Sequence, residues 1–432
     1  MRISTLQAFN NGVAGLQRNY ANATRTQEQI STGNRILTPA DDPVASVRLL
    51  QLEQQQNVLS QYNANLTAAK NSLTQEEVTL NSVNTVLQRV RELAVQAGNG
   101  ALDPQDRKSI AAELGEREDE LLSLMNTRNA RGEYLFGGFQ GKTQPFVRGA
   151  DGSYSYEGDE GQRKLQIASS LNIPISDNGK SVFENVTNAG RLDSRLDQSG
   201  VAAGSETTLV VSKPLVSDEV AFAASFPADG VEIEFASDGS YSVYGRPRAA
   251  GDTPLPKGDS LRLDDDLETS DKLVFGGMTL HFDGQAVGGE RVVVVPGQIT
   301  NIAADGTVSA DPAQNKQGIL DTIASLRSAL ENPTTGNQGV RDAVAVALTN
   351  LDHGMVSVDA ARGNIGARLN VIETTQTDNE DVTLVNKSVQ AELKELDYAE
   401  ALSRLSFQTV ILEAAQQSYV KISGLNLFNA MR

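Results

Sequence analysis

The stretch "QISTGNRILTPADDPVAS" (residues 29–46) lies between two segments of helical character and holds a Gly-Asn pair, two prolines and two adjacent aspartates. Its last part carries the signals of a helix start. The Asp42 carboxylate can accept a hydrogen bond from a first-turn amide, and Pro43 suits the first helical position. Two interpretations are open: Asp41 and Asp42 belong to a ligand-binding loop, or the stretch is a joint that orients one long helix against another.

A long amphipathic helix is predicted after this stretch, because residues 44–97 contain neither glycine nor proline and Gly98 supplies a stop. An apolar seam with alternating three- and four-residue spacing runs along it. Such a heptad-like seam is typical of a helix that buries one narrow stripe against partner helices. Its only charged member is Glu76, and the whole seam is Leu59, Tyr62, Leu66, Ala69, Leu73, Glu76, Leu80, Val83, Leu87, Val90, Ala94 and Ala97.

Other helical segments occur towards both ends of the chain. One covers residues 4–32, another follows the start signal Asp103-Pro104, and a third is "GILDTIASLRSALEN" (318–332). Residues 367–423 lack glycine and proline and are predicted to form a single long helix. Since each long helix has an apolar stripe that requires cover, we expect the N- and C-terminal helices to pair.

The middle of the chain differs in kind, with short alternating runs such as "VEIEFASDGSYSVYG" (231–245) separated by Gly, Asp and Pro. Such runs predict antiparallel strands joined by turns. The predicted fold class is therefore α+β: an elongated bundle of long paired N- and C-terminal helices with an inserted antiparallel β outer domain. The predicted segments are a terminal helical segment 1–42, a helical rod 43–141, a β-rich outer domain 142–300, a helical rod 301–404 and a terminal helical segment 405–432.

Composition argues against several classes of function. The absence of cysteine excludes disulfides, thiolate metal sites and cysteine nucleophiles, and only two histidines, His281 and His353, are present. The net charge of −18 argues against a nucleic-acid partner. The longest apolar run, residues 343–348, is too short to span a membrane, and the N-terminus has no apolar signal region. We therefore expect no enzyme, no catalytic residues, no cofactor, no metal and no membrane partner.

Two motifs resemble the signatures of the flagellin superfamily. The opening stretch is similar to its N-terminal signature, in which a helix ends at a Gly-Asn-Arg step before an Ala-Asp-Asp element. "LDYAEALSRLSFQTVILEAAQQSYVKISGLNLFNAMR" (396–432) resembles its C-terminal signature. "ADDPVAS", with proline where flagellins usually carry alanine, "RGEYLFGGFQGKTQPF" (131–146) and "LNLFNAM" (425–431) together resemble the family of hook–filament junction proteins, the flagellin-like hook-associated protein 3 (FlgL) family.

This resemblance implies a structural subunit of the bacterial flagellum that is extracellular and is exported unfolded through the flagellar type III apparatus. The implied partners are other copies of itself, the hook-side junction protein (hook-associated protein 1), flagellin and a cytosolic export chaperone. An alternative within the superfamily is flagellin itself, the subunit of the filament. A secreted hydrolase on the acidic β-rich part is a third interpretation, but no Ser/His/Asp or paired-Glu constellation supports it.

The predicted functional residues are structural. The joint and helix cap consist of Gly33, Asn34, Asp41, Asp42 and Pro43, and the structural interpretation of the two aspartates is preferred because their neighbours Ala40 and Pro43 offer no further ligand. An acidic run, "DDD" (264–266), lacks the spacing of a calcium loop and is read as a solvated turn. The predicted contacts between copies are Leu6, Phe9, Val13, Leu16, Tyr20, Leu405, Leu412, Tyr419, Leu425, Leu427 and Phe428.

Overall fold

The structure is a computed structural model, and it describes residues 2–202, 207–249, 251–255, 271–303, 307–332 and 334–430. Within α1 and α7 the side chains of residues 2–6, 8 and 422–430 lie outside this description. The helices are α1 (Arg2–Thr32), α2 (Pro43–Ala97), α3 (Pro104–Met125), α4 (Glu219–Ser225), α5 (Ile319–Glu331), α6 (Asn337–Lys394) and α7 (Tyr398–Ala430). None of these helices, within the described residues, is both long and apolar enough to cross a membrane.

All strands lie between α3 and α5. They are β1 (Phe146–Arg148), β2 (Tyr154–Tyr156), β3 (Lys164–Gln166), β4 (Asn172–Pro174), β5 (Leu192–Asp197), β6 (Val210–Val211), β7 (Leu215–Val216), β8 (Val231–Phe235), β9 (Tyr241–Gly245), β10 (Asp271–Phe275), β11 (Met278–Asp283), β12 (Arg291–Pro296), β13 (Gln298–Ile302) and β14 (Val308–Asp311). The observed fold class is thus α+β, with long helices towards both chain ends and β-structure between them, as predicted.

The chain contacts divide it into two compact units. The terminal unit comprises Met1–Thr67, Gln166–Leu171 and Ile372–Arg432, and the central unit comprises Ala68–Leu165 and Asn172–Val371. Helices α2 and α6 contribute to both units. The segment boundaries predicted from sequence remain predictions, although the last strand, Val308–Asp311, lies beyond the predicted end of the β-rich part at residue 300.

The seam predicted along α2 is buried. Eleven of its twelve positions are shielded from solvent and Tyr62 is half-buried. In the central unit α2 runs antiparallel to α6, because Asn84 bonds to Asp359 and Arg91 pairs with Asp352. The predicted pairing of N- and C-terminal helices is therefore confirmed there. The buried apolar residues of α6 in the central unit include Val344, Ala347, Leu351, Val358, Ala361 and Ile365.

The β-rich part is built around two four-stranded antiparallel sheets. One has the order β5-β12-β8-β9, and in the other β11 pairs with β10, β6 and β7. Side chains from both sheets meet in one apolar core, which includes Phe235, Val243, Leu280, Phe282 and Val294. Alternation along each strand places these residues on the inner faces, which is the packing of a small β-sandwich.

The long C-terminal helix differs from the prediction at both ends. Helix α6 begins at Asn337, and it contains Gly354, where any side chain would lie within 2.9 Å of Ile319 at the start of α5. Close approach of the two helices thus requires this glycine, and the gain in packing offsets its low helix propensity. The prediction of one uninterrupted helix over residues 367–423 was wrong, because the chain leaves the helix after Lys394 and starts α7 at Tyr398.

Glu76, the charged member of the seam, is 1% exposed. Its carboxylate accepts a hydrogen bond of 3.0 Å from the backbone N–H of Asp177. The Asp177 carboxylate in turn receives two hydrogen bonds from Arg368 (2.8 and 3.1 Å) and one of 2.7 Å from Gln162. Burial, and then the nearby charge of Asp177, raise the pKa of Glu76 to about 8.

A pH-dependent stability follows from this burial. Folding raises the pKa of Glu76 from 4.5 to about 8, so the unfolded chain releases this proton more readily. The free energy of unfolding should therefore fall as the pH rises between these two values. Above about pH 8 this group should cause no further decrease. In Glu76→Gln the amide oxygen still accepts from Asp177. We expect the free energy of unfolding of this variant at pH 9 to exceed that of the parent by about 1–3 kcal/mol.

Urea denaturation at pH 5 and pH 9 measures this difference. Glu77→Gln, at the half-buried next position, serves as the control and should keep the pH dependence of the parent. Equal pH dependence in the parent and in Glu76→Gln would contradict the assignment.

Candidate assembly surface and helix joint

The predicted joint residues lie between the end of α1 and the start of α2, in the terminal unit. Helix α1 stops at Gly33, whose φ of 72° is the left-handed conformation that ends many helices, and its N–H donates to Gln29 O at 2.8 Å. Asn34 forms an isolated antiparallel bridge with Glu395, in the connection between α6 and α7. The connection between α1 and α2 thus contacts the connection between α6 and α7.

Asp41 holds the joint in shape. One carboxylate oxygen accepts the backbone N–H groups of Leu37 (3.0 Å) and Thr38 (3.1 Å), and the other accepts the Thr38 hydroxyl (2.8 Å) and pairs with Arg25. These four donors lie on the same short loop or on the end part of α1, so the side chain ties the loop to the helix before it.

Asp42 and Pro43 occupy the positions predicted for them. The Asp42 carboxylate accepts the Ala45 N–H at 2.9 Å, and Pro43 is the first residue of α2. Asp397 does the same for α7, with hydrogen bonds from Ala399 (2.9 Å) and Glu400 (3.1 Å). Both aspartates of the opening stretch are thus engaged by the chain itself, which favours the joint over a ligand-binding loop. In the described ranges no three His, Asp or Glu side chains converge as a metal site would require.

The predicted contacts between copies lie on α1 and α7, which pack against each other. The rings of Phe9 and Tyr419 lie 5.3 Å apart, and Tyr419 also contacts α1 at Gly12. Leu405 and Leu412 precede Tyr419 by multiples of seven residues and are half-buried on the same face, as are Val13 and Leu16 on α1. Phe9 and Tyr20 are exposed.

Four predicted contact residues, Leu6, Leu425, Leu427 and Phe428, have side chains outside the described part of the chain. The acidic run 264–266 also lies outside the described residues.

Sequence reasoning missed the outer side of α7. Among the described side chains of α7, those of Leu402, Phe407, Val410, Ile411 and Val420 are large, apolar and exposed. The available signal was that apolar residues occur on all sides of α7, which is typical of a helix that is covered all round in its final state.

The terminal unit as a whole exposes much apolar surface. Of the 25 large apolar side chains exposed in the described residues, 16 belong to this unit, which holds less than a third of the chain. Its interior, by contrast, contains polar atoms that have no hydrogen-bond partner among the described residues, on Gln56, Thr383, Asn386, Gln390 and Gln408. Val382 and Val385 are exposed. The monomer therefore leaves uncovered a surface of the kind that marks protein–protein contacts.

Comparison with known proteins gives the class. Residues 3–141 match the family model of the bacterial flagellin N-terminal helical region. This match, together with the long helices at both ends, defines a flagellin-like subunit of the bacterial flagellum.

Particular relatives narrow the class. The flagellar hook-associated protein 3 of Escherichia coli is 31% identical over 51% of this chain and 69% of its own length, and that of Salmonella typhimurium is 34% identical over 43% and 58%. The flagellar junction protein FlgL from Legionella pneumophila has a solved structure that superposes with a TM-score of 0.59 at 25% identity, covering 81% of this chain and 100% of that one. The chain belongs to the flagellar hook-associated protein 3 family. Filament flagellins also match, over shorter stretches.

Removal of the Asp41 carboxylate should loosen the joint. We expect Asp41→Ala to lower the free energy of unfolding of the joint by about 1–3 kcal/mol, since it leaves the Leu37 and Thr38 donors unpaired. Amide hydrogen exchange at residues 35–41 measures the effect. Asp381→Ala, at an exposed position of α6, is the control, and unchanged exchange in Asp41→Ala would show that the loop is held by other contacts.

Proposed function

We propose that this chain is the structural, non-catalytic subunit that connects the hook of the bacterial flagellum to its filament. Its membership of the hook-associated protein 3 family supports the location, and one structural observation supports the mechanism. The terminal unit exposes apolar side chains on its outside while burying polar ones inside. Such a unit gains stability when neighbouring subunits cover its outer side chains.

The proposed mechanism is mechanical. Terminal helices of neighbouring copies stack in a ring-like assembly, and the outer side of α7 is covered by the next subunit. Complete burial of a side chain such as Phe407 or Val410 contributes about 1.5–3 kcal/mol, so a few of them suffice for stable contacts. The predicted residues Leu405, Leu412 and Tyr419, whose face is turned to α1, would then set the pairing of α1 with α7 within each copy.

The other partners follow from the proposed location. We infer that the ring meets the hook-side junction protein on one side and flagellin on the other. We also infer that the chain leaves the cell through the flagellar type III apparatus with the help of a cytosolic chaperone. The β-rich part lies away from the chain ends in sequence, and its role in the assembly is independent of this proposal.

The outer side of α7 offers a test of the mechanism. We expect Phe407→Asp together with Val410→Asp to abolish assembly at the hook tip, because the charges would be buried between copies. The unfolding of the isolated chain should change little, since these side chains are 68% and 61% exposed.

The readout is the amount of the variant retained on isolated hooks, with Val220→Asp as control. Val220 is 81% exposed on α4 and lies in the central unit, so its variant should assemble as the parent does. Normal incorporation of the double variant would refute α7 as the contact surface.

A deletion strain tests the location. Cells without this chain should build hooks but release flagellin into the medium, because the filament has no base on which to start. Immunoblotting of the culture supernatant and electron microscopy of the cells measure both. Normal filaments in this strain would contradict the junction role.

Flagellin remains the alternative within the superfamily, because it shares the helical terminal regions. Seeded polymerisation separates the two functions. Flagellin should elongate filament fragments without limit, whereas a junction subunit should add no long polymer.

A further inference from the structure

Arg35 lies at the meeting point of three helix ends in the terminal unit. Its backbone N–H donates to Lys394 O at 2.8 Å, and its guanidinium Nη2 donates to Leu393 O at 3.0 Å. Both acceptors are carbonyls of the last turn of α6, where a helix leaves its C=O groups without internal partners. A cation near a helix C-terminus is also favoured by the helix dipole. Arg35 therefore caps a helix that ends about 360 residues later in the chain.

The capping is part of a longer contact between the α1–α2 connection and the α6–α7 connection. Next to Arg35, Asn34 faces Glu395 in the antiparallel bridge, and the N–H of Leu396 donates to Gly33 O at 3.0 Å. Leu396 is buried, so this connection is held by packing as well as by hydrogen bonds. The Tyr398 hydroxyl lies 3.0 Å from the place where a side chain on Gly33 would begin, which, with its left-handed backbone, restricts this position to glycine.

The same stretch also reaches the start of α7. Gln29, in the last turn of α1, donates to Arg35 O at 2.6 Å, and its side-chain oxygen accepts from Arg404 at 3.2 Å. Arg404 lies in the second turn of α7. Arg35 is thus linked to the end of α6 directly and to the start of α7 through Gln29.

We propose that Arg35 is a positioning residue that couples the α1–α2 connection and the α6–α7 connection into one joint. By capping α6 it fixes where the C-terminal chain leaves that helix, and thereby the direction in which α7 begins alongside α1. The α1–α7 pair is then oriented by a single paired joint, although its two helices come from opposite ends of the chain. Only the consequence for assembly rests on the proposed function; the coupling itself is a property of the isolated chain.

Hydrogen exchange of the full-length chain tests the coupling. In Arg35→Ala we expect the amides of residues 395–401 to exchange about tenfold faster, which is the loss expected for a hydrogen bond to a charged group. Arg48→Ala, at an exposed position of α2, is the matched control and should leave these amides unchanged. Faster exchange confined to residues 33–38, with 395–401 as in the parent, would overturn the proposal.

A disulfide supplies a rescue that a purely local role of Arg35 would not show. The chain has no cysteine, so Asn34→Cys with Glu395→Cys introduces a single pair. These residues form the non-hydrogen-bonded type of antiparallel pair, whose Cα atoms lie about 4.5 Å apart, within the range that a disulfide needs.

Added to Arg35→Ala, the oxidised pair should restore the slow exchange of residues 395–401, and reduction should remove it again. Unrestored exchange in the oxidised triple variant would overturn the proposal. Because this readout uses the isolated chain, its failure is distinct from a failure of the junction role, which the deletion strain tests.

Discussion

Burial of one continuous seam along α2 is the interaction on which the rest of the structure depends. A helix of 55 residues gains little from its own hydrogen bonds unless one face is covered by tertiary packing. Leu73, Leu80 and Leu87 are fully buried, and each contributes about 1.5–3 kcal/mol by leaving water. In the central unit the seam lies in antiparallel register with α6. Both helices continue into the terminal unit, where the α1–α2 and α6–α7 connections meet through hydrogen bonds of Arg35 to Lys394 and of Leu396 to Gly33.

The inward-facing side chains of the long helices differ between the two units. This difference distinguishes the part of the chain that packs on its own from the part that assembly would stabilise. In the central unit the seam positions of α2 are apolar except for Glu76, whose carboxylate is hydrogen-bonded within the chain. In the terminal unit the inward positions of α6 include Asn379, Thr383 and Asn386, while Val382 and Val385 are exposed. Polar atoms inside and apolar side chains outside make the unit weakly stable alone and strongly stabilised by covering.

Much of the fold was predictable from the sequence, and the failures have physical causes. The prediction of the α2 seam was correct because a heptad spacing sustained over many turns has few alternative explanations. The break after Lys394 was missed because it has no glycine or proline; its only local signal is the helix cap Asp397, and the contact that fixes it comes from Arg35. The outer face of α7 was missed because apolar residues on all sides give no preferred face. Both failures concern features that are set by a distant part of the chain or by another molecule, which one-dimensional patterns do not contain.

The buried charges of the central unit complete the argument for a structural role. Glu118 is buried, yet it accepts the Tyr154 hydroxyl at 2.5 Å and Arg327 at 2.9 Å. Together with the bond between Glu76 and Asp177, this contact joins the helices to the inserted β-rich segments. Buried polar pairs of this kind add little net stability compared with apolar packing, but they penalise every other arrangement of the same segments. Because donors of the chain itself bond to these carboxylates, the two glutamates serve to orient the insert on the helices.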